Sequence, residues 1–314
     1  MNQSVVSVIM PAYNGEKYIG EAIESIQKQS YQNWELIIVE DCSTDRTLSV
    51  IEGYLQDPRI KLFRNEHNLG IAASRNKAME LARGEYIAIQ DDDDLSLPDR
   101  LETGVILLDE HPEIKAVAGY WVRVDETGKD ILSIHNAYKN PRYVRACLLL
   151  QDCIGNGSAM FRKDFAVKYH LKYRDHMLGM EDYGFWIDFS KHGNISAVDR
   201  IVYKQRQHLS QETEKRTSVD QQERRIRFLE LQKEAITREG IRLSQEELDI
   251  LYTMAGEKTD PGLTARDYMK LYEVFRGIIR QAKDLKLENA GEIAIACRKF
   301  LGKKIANSKG LWNE

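Results

Sequence analysis

Hydrophobic residues in the first hundred positions follow two alternating rhythms. Residues 5–10 are a nearly continuous apolar run, the pattern of a strand covered on both faces. Ile19, Ala22, Ile23 and Ile26 then recur at helical spacing, with Asn14 as a candidate cap before them. Residues 36–39 predict a second buried strand. Leu48, Ile51 and Leu55 mark the next helix, with Ser43 or Thr44 to cap it and Pro58 to close it. A third strand over 60–63 leads to an alanine-rich helix over 71–83, with Gly84 where a C-cap belongs. Residues 86–89 predict a fourth strand, which runs straight into Asp91, Asp92, Asp93 and Asp94. This alternation predicts an α/β fold, a mainly parallel sheet with helices on both faces.

Past residue 95 the rhythm changes. Pro98 stands near the start of a helix carrying Leu101, Val105 and Leu108. Residues 115–134 predict a hairpin turning at Glu126, Thr127, Gly128 and Lys129. A helix over 144–150, a short strand over 158–161 and a helix over 181–191 follow. Beyond about Ser210 the chain is polar and helical in spacing, over 224–234, 245–254, 265–285 and 292–304. The pattern predicts one α/β domain over 1–210 and a helical C-terminal region over 211–314, with no internal repeat.

Composition narrows the class. Of 314 residues, 42% are hydrophobic and 30% charged, as in a soluble globular protein. The net charge of -4 gives no basic field, which argues against wholesale nucleic-acid binding. No apolar run approaches the roughly 18–20 residues of a membrane span, and the N-terminus reads as a first strand rather than a signal peptide. The four cysteines form no CxxC pair, so reduced thiols in a cytoplasmic setting are the expectation.

The acidic run is the strongest local signal. Ligands of open parallel sheets bind beyond the carboxyl ends of the strands, where Asp91 to Asp94 fall. Adjacent carboxylates repel one another unless a cation or solvent relieves them. Asp91 and Asp93, alternate members, offer hard oxygen ligands for Mg²⁺ or Mn²⁺ with a diphosphate completing the shell. The plainer reading is a solvated acidic turn before a helix. Other strand ends add Pro11 and Tyr13, whose ring suits stacking on a base, and Asp41, whose carboxylate suits a base N–H. Asn68, Gly70 and Arg75 flank the third helix, where a guanidinium suits phosphate. Each alone is weak; their convergence on one rim is the argument.

The ordered segments VSVIMPAYNGEKYI, IIVEDCSTDRT, HNLGIAASRNKAM and GEYIAIQDDDDLSLPDRL resemble the family 2 glycosyltransferases, inverting enzymes of the GT-A fold, over roughly residues 4 to 210. The resemblance implies that Tyr13 lies against the base and that Asp41 binds it. It also implies that Asp91 and Asp93 form the metal-binding motif, with Asp93 the direct ligand and Asp92 near the ribose. Cys42 stands where the family commonly has glycine, which makes that turn less permissive. Glu181 and Asp182, followed by Trp186, match the family's Glu-Asp motif and imply Asp182 as catalytic base, with Glu181 the alternate. Residues 154–158 are similar to the acceptor-side segment. Residues 203–208 resemble the Tyr-Arg-x-His stretch, with His208 toward the metal or diphosphate and Arg206 toward a phosphate.

These parts imply metal-assisted single displacement. A nucleotide-diphosphate sugar, by family frequency a UDP-sugar, would give its sugar to a hydroxyl of a glycan or lipid-linked saccharide in polysaccharide biosynthesis. The alternative is an inactive nucleotide-sugar-binding or interaction protein on the same fold. A nucleotidylyltransferase or a dehydrogenase is disfavoured, since neither a glycine-rich basic loop nor GxGxxG follows a strand. In the C-terminal region, Arg298, Lys299, Lys303 and Lys304 interleave with Phe300 and Leu301. Two readings stand: peripheral contact with the inner face of an anionic membrane, or a solvated face or homodimer contact.

Overall fold

Val6–Ala12 and Trp34–Glu40 are buried at every position, which only a sheet covered on both faces allows. In the computed structural model, which describes residues 4–135, 137–208, 218–254 and 263–307, they are the first two strands of one mixed sheet. The chain divides into two units: Met1–Asn140 with Ile154–Lys215, and Pro141–Cys153 with Arg216–Glu314. The second unit therefore takes in a helix from well before residue 210.

The first unit opens with β1 (Val6–Ala12), α1 (Ile19–Gln27), β2 (Trp34–Glu40), α2 (Thr47–Glu52), β3 (Ile60–Arg64), α3 (Ile71–Leu81) and β4 (Tyr86–Ile89). It continues with β5 (Leu95–Ser96), α4 (Arg100–Glu110), β6 (Ile114–Val124) and β7 (Asp130–His135). After a 3-10 turn at Asn156–Ser158 come β8 (Met160–Arg162), α6 (Lys163–Lys168), α7 (Glu181–His192) and β9 (Asn194–Arg206), with α5 (Pro141–Cys147) left to the other unit. Among the described residues the strand order is β3-β2-β1-β4-β8-β6-β9-β5, with β7 on β6. Strands β3, β2, β1 and β4 are mutually parallel; β8 runs against β4 and β6, and β9 lies parallel to β6. Two reversals restore direction, so β9 ends at the same edge as β1, β2 and β4. That edge carries the site.

The strands and helices that the hydrophobic pattern predicts over residues 5–110 are present, and their ends differ for local reasons. Helix α1 starts at Ile19, not near Asn14. Asn14 has φ 51° and its Oδ1 accepts the Thr44 N–H at 2.9 Å, so it ties two loops together instead of capping. Asp45, rather than Ser43 or Thr44, accepts the Thr47 N–H that opens α2, at 2.9 Å. Gly84 is no C-cap: a Cβ there would lie 2.5 Å from the Val5 carbonyl oxygen, so the residue serves close passage past β1. Strand β9, thirteen residues long, is not among the elements that the periodicity predicts.

In the second unit, α5 is joined by α8 (Ser218–Arg238), α9 (Gln245–Met254), α10 (Ala265–Asp284) and α11 (Ala290–Asn307). Tyr268, Leu271, Val274, Phe275 and Ile278 form the buried stripe of α10, which starts in a capping box between Thr264 and Asp267. Arg145 reaches from α5 to Glu239, Nε to Oε1 at 3.0 Å. No described helix is long and apolar enough to cross a membrane.

Candidate active site

The four aspartates of the acidic run are gripped from three other parts of the first unit. Asp91 Oδ1 accepts from Arg75 Nη2 of α3 at 2.7 Å. Asp92 Oδ2 accepts the backbone N–H of Tyr13, just past β1, at 3.1 Å. Asp93 Oδ2 lies 2.9 Å from His208 Nε2, just past β9. Asp94 Oδ1 accepts the Arg206 N–H at 2.7 Å. A run that local sequence leaves as a solvated turn is thus a junction of four elements.

The charge at this junction is partly suppressed. Burial first, and then the Asp93 charge, push the Asp92 carboxyl well above the usual carboxylate range. Burial, then Asp93 and Asp91, do the same to Asp94. Below the run, Arg100 Nη1 donates to Gln90 Oε1 at 3.1 Å and to Ser96 Oγ at 2.7 Å, and burial lowers its pKa to about 10. Tyr203 Oη accepts the Asp91 N–H at 3.2 Å, and Gly157 lies so close that a Cβ there would be 2.3 Å from that oxygen.

The nucleotide-side candidates fall on the same edge. Tyr13 is 42% exposed, so its ring is available for stacking. Pro11 is buried within β1, opposite Val39. Asp41 is buried, and its carboxylate accepts from Asn65 Nδ2 at 2.7 Å and from the Leu69 and Gly70 N–H groups, each at 2.8 Å. Asp41 therefore fastens the loop into α3, with Gly70 at φ 85° as its last residue and Asn68 exposed on it. Cys42 takes φ 64°, the left-handed conformation that glycine supplies without strain.

Arg206 is 0% exposed, and its head group faces inward. Nε donates to the Asp93 carbonyl at 3.0 Å, Nη1 to the Glu126 carbonyl at 2.8 Å and Nη2 to Glu21 Oε2 at 2.8 Å, above the ring of Tyr18. With no surface open to solvent, this guanidinium would reach a phosphate only if the packing around it opened. His208 packs on the same Tyr18 ring, centroids 4.5 Å apart.

On the far side, Glu181 and Asp182 open α7. Glu181 is buried: Oε2 accepts the Gly179 N–H at 2.6 Å and Oε1 accepts from Arg75 Nη1 at 3.3 Å. Asp182 is half-buried and accepts the Tyr183 N–H at 2.8 Å. The indole of Trp186 and the hydroxyl of Tyr173 both donate to Asn156 Oδ1, at 3.2 Å each, and Asn156 Nδ2 is buried without a partner.

Among the described residues no three His, Cys, Asp or Glu side chains converge to hold a metal ion. Asp93 and His208, in contact, still form a hard oxygen–nitrogen donor pair, with Asp91 on the same run. That set suits Mg²⁺ or Mn²⁺, which retain several waters or substrate phosphate oxygens. Sequence reasoning missed Arg100, Gln90 and Tyr18. Only Arg100 leaves a trace, since it sits four and eight residues before Gly104 and Leu108 on the buried face of α4.

The sheet, with its helices and helical C-terminal region, is that of the GT-A transferases. Two solved structures below 25% identity share this fold. Residues 1–349 of S. aureus TarS with UDP-GlcNAc give a TM-score of 0.63 at 19% identity, covering 98% of this chain and 93% of that one. The mannosyltransferase PcManGT of Pyrobaculum calidifontis with GDP-Man and Mn²⁺ gives 0.55 at 17% identity, covering 98% and 87%. Residues 7–168 match glycosyl transferase family 2, and the chain belongs to that family. It is 48% identical to EpsE of Bacillus subtilis over 125 residues, which are 39% of this chain and 45% of that protein. It is 32% identical to the Escherichia coli UDP-Glc:alpha-D-GlcNAc-diphosphoundecaprenol beta-1,3-glucosyltransferase WfgD over 201 residues, 63% of this chain and 75% of that one. The chain thus spans less than half the length of the Bacillus relative.

Proposed function

We propose that this glycosyltransferase moves a sugar from a UDP-sugar to a hydroxyl of a saccharide acceptor, with inversion at the anomeric carbon. The observation that carries the reading is the acidic run at the end of β4, joined at once to the β1 loop by Asp92, to α3 by Asp91 and to the β9 end by Asp93 and Asp94. UDP is favoured because WfgD is named for UDP-Glc and TarS is seen with UDP-GlcNAc. A lipid-linked acceptor follows the name of WfgD in the same way.

Tyr13 stacks on the base, and the loop that Asp41 fastens lines its edge. Asp93 and His208, with Asp91, would hold a divalent cation; bound there, it would neutralise charge on the departing diphosphate. The acceptor oxygen forms its bond to the anomeric carbon as the bond from that carbon to the diphosphate oxygen breaks. Asp182 takes the acceptor proton. It is the less buried of the two carboxylates at the start of α7.

A thermal-shift screen of UDP-, GDP- and dTDP-sugars with and without Mn²⁺, followed by transfer assays on the hits, tests this. A UDP-sugar is expected to raise the melting midpoint most, and more with Mn²⁺. A binder that neither transfers nor hydrolyses any donor would be the inactive alternative.

A further inference from the structure

Arg75 is 4% exposed, and such a cation is costly to bury unless its surroundings compensate. Nη2 donates to Asp91 at the end of β4, at 2.7 Å, and Nη1 donates to Glu181 at the first residue of α7, at 3.3 Å. Its Nε is buried without a partner. The face of Tyr173 lies 5.2 Å from the guanidinium carbon. Tyr173 is fixed in turn: its hydroxyl donates to Asn156, and its backbone N–H and carbonyl bond both ends of the Asn76 amide at 2.8 Å each. Burial works against the Arg75 charge, but Asp91, Tyr173 and Glu181 outweigh it and raise the pKa further above its ordinary value.

We propose that Arg75 is a positioning residue that joins the acidic run to the start of α7, holding Asp91 and Glu181 as its anionic partners and leaving Asp182 to take the acceptor proton. The proposal rests on the transferase reading above. A guanidinium whose two Nη atoms are spent on carboxylates from separate halves of the site sets their spacing. Positioning errors of this kind reduce turnover more than binding. A phosphate ligand would behave the other way, weakening donor binding when removed.

The test compares Arg75→Met, Arg75→Lys, Glu181→Gln and the Arg75→Met/Glu181→Gln pair in the full chain. Arg75→Met is expected to lower kcat by about 10²-fold while the donor Kd, from calorimetry with Mn²⁺, moves less than about threefold. Arg75→Lys keeps a charge but reaches one carboxylate at a time, and should fall in between. The double variant, which also removes the carboxylate left unpaired, should turn over no worse than Arg75→Met and remain folded if that variant does not. Independently of turnover, hydrogen exchange of backbone amides 179–184 should rise by about tenfold in Arg75→Met while α10 is unchanged. Unchanged exchange at 179–184, or a weakened donor Kd with kcat intact, overturns the positioning role. No turnover by the wild-type chain with any donor would instead sink the transferase reading, and the exchange result would still decide the role of Arg75.

Discussion

The two units of this chain bury charge on different terms. The first encloses Arg75, Arg100 and Arg206 together with Glu40, Asp41, Asp94 and Glu181. In the second, among the described residues, the buried charged side chains are Glu239 and Lys304, while apolar stripes such as that of α10 do the packing. Helices hold together on stripes alone, so nothing in folding demands the buried charge of the first unit. Desolvating an ion costs several kcal/mol even after relaxation. Apart from Glu35 near the start of β2, those charges gather at one sheet edge, which marks a place selected for chemistry rather than stability.

The comparison can be broken by substitution, and the largest effect is expected at α7. Asp182→Asn should lower transfer by roughly 10²–10⁴-fold with donor affinity retained; steady-state kinetics with calorimetry would check it. Normal transfer by this variant would refute the base assignment. Next comes a pair of arginine deletions, one in each unit. Arg206→Met strands the Asp93 and Glu126 carbonyls, at about 1–3 kcal/mol each, and should cost about 2–6 kcal/mol in urea unfolding, the Glu21 carboxylate being exposed enough for water to serve it. Arg145→Met in the second unit should cost less, about 1–3 kcal/mol, because Arg238 Nε, 3.8 Å from Glu239 Oε1, remains beside the buried carboxylate. Equal losses would erase the distinction between the units.

How much of this was legible in the sequence depends on whether the cause is local. The early strands were legible because both faces are buried, which gives unbroken apolar runs such as Leu36–Val39. The acidic run and the Glu181–Asp182 pair were visible as clusters. Their partners were not. Arg75 meets Glu181 across 106 positions and Arg206 meets Asp93 across 113, and no periodicity encodes such pairings. Strand β9 was hidden because its register with β6 slips at Ala118/Tyr120 and Tyr120/Trp121, which breaks the two-residue alternation. The site was therefore readable as a list of residues, and its wiring was not.

Smaller effects sharpen the contrast. Gly157→Ala drives a methyl group into Tyr203 beneath Asp91 and should cost about 1–3 kcal/mol with some loss of turnover. Away from the rim, Arg59 holds the Asp57 carboxyl down to about 2. Its folded pKa is depressed, so the pair contributes stability above the unfolded value of about 3.9. That contribution is lost as pH falls through about 2. Denaturation of Asp57→Asn between those limits should show a shallower decline than the wild type.

The central claim is that carboxylates at one sheet edge bind a nucleotide diphosphate with the help of a divalent cation. Calorimetric titration of the best UDP-sugar into the wild type and Asp93→Ala, each with Mn²⁺ or with chelator, tests it most directly. Wild-type affinity should be at least about tenfold higher with Mn²⁺, and Asp93→Ala should lose that gain. Equal affinity in all four titrations, or no binding at all, would contradict the account.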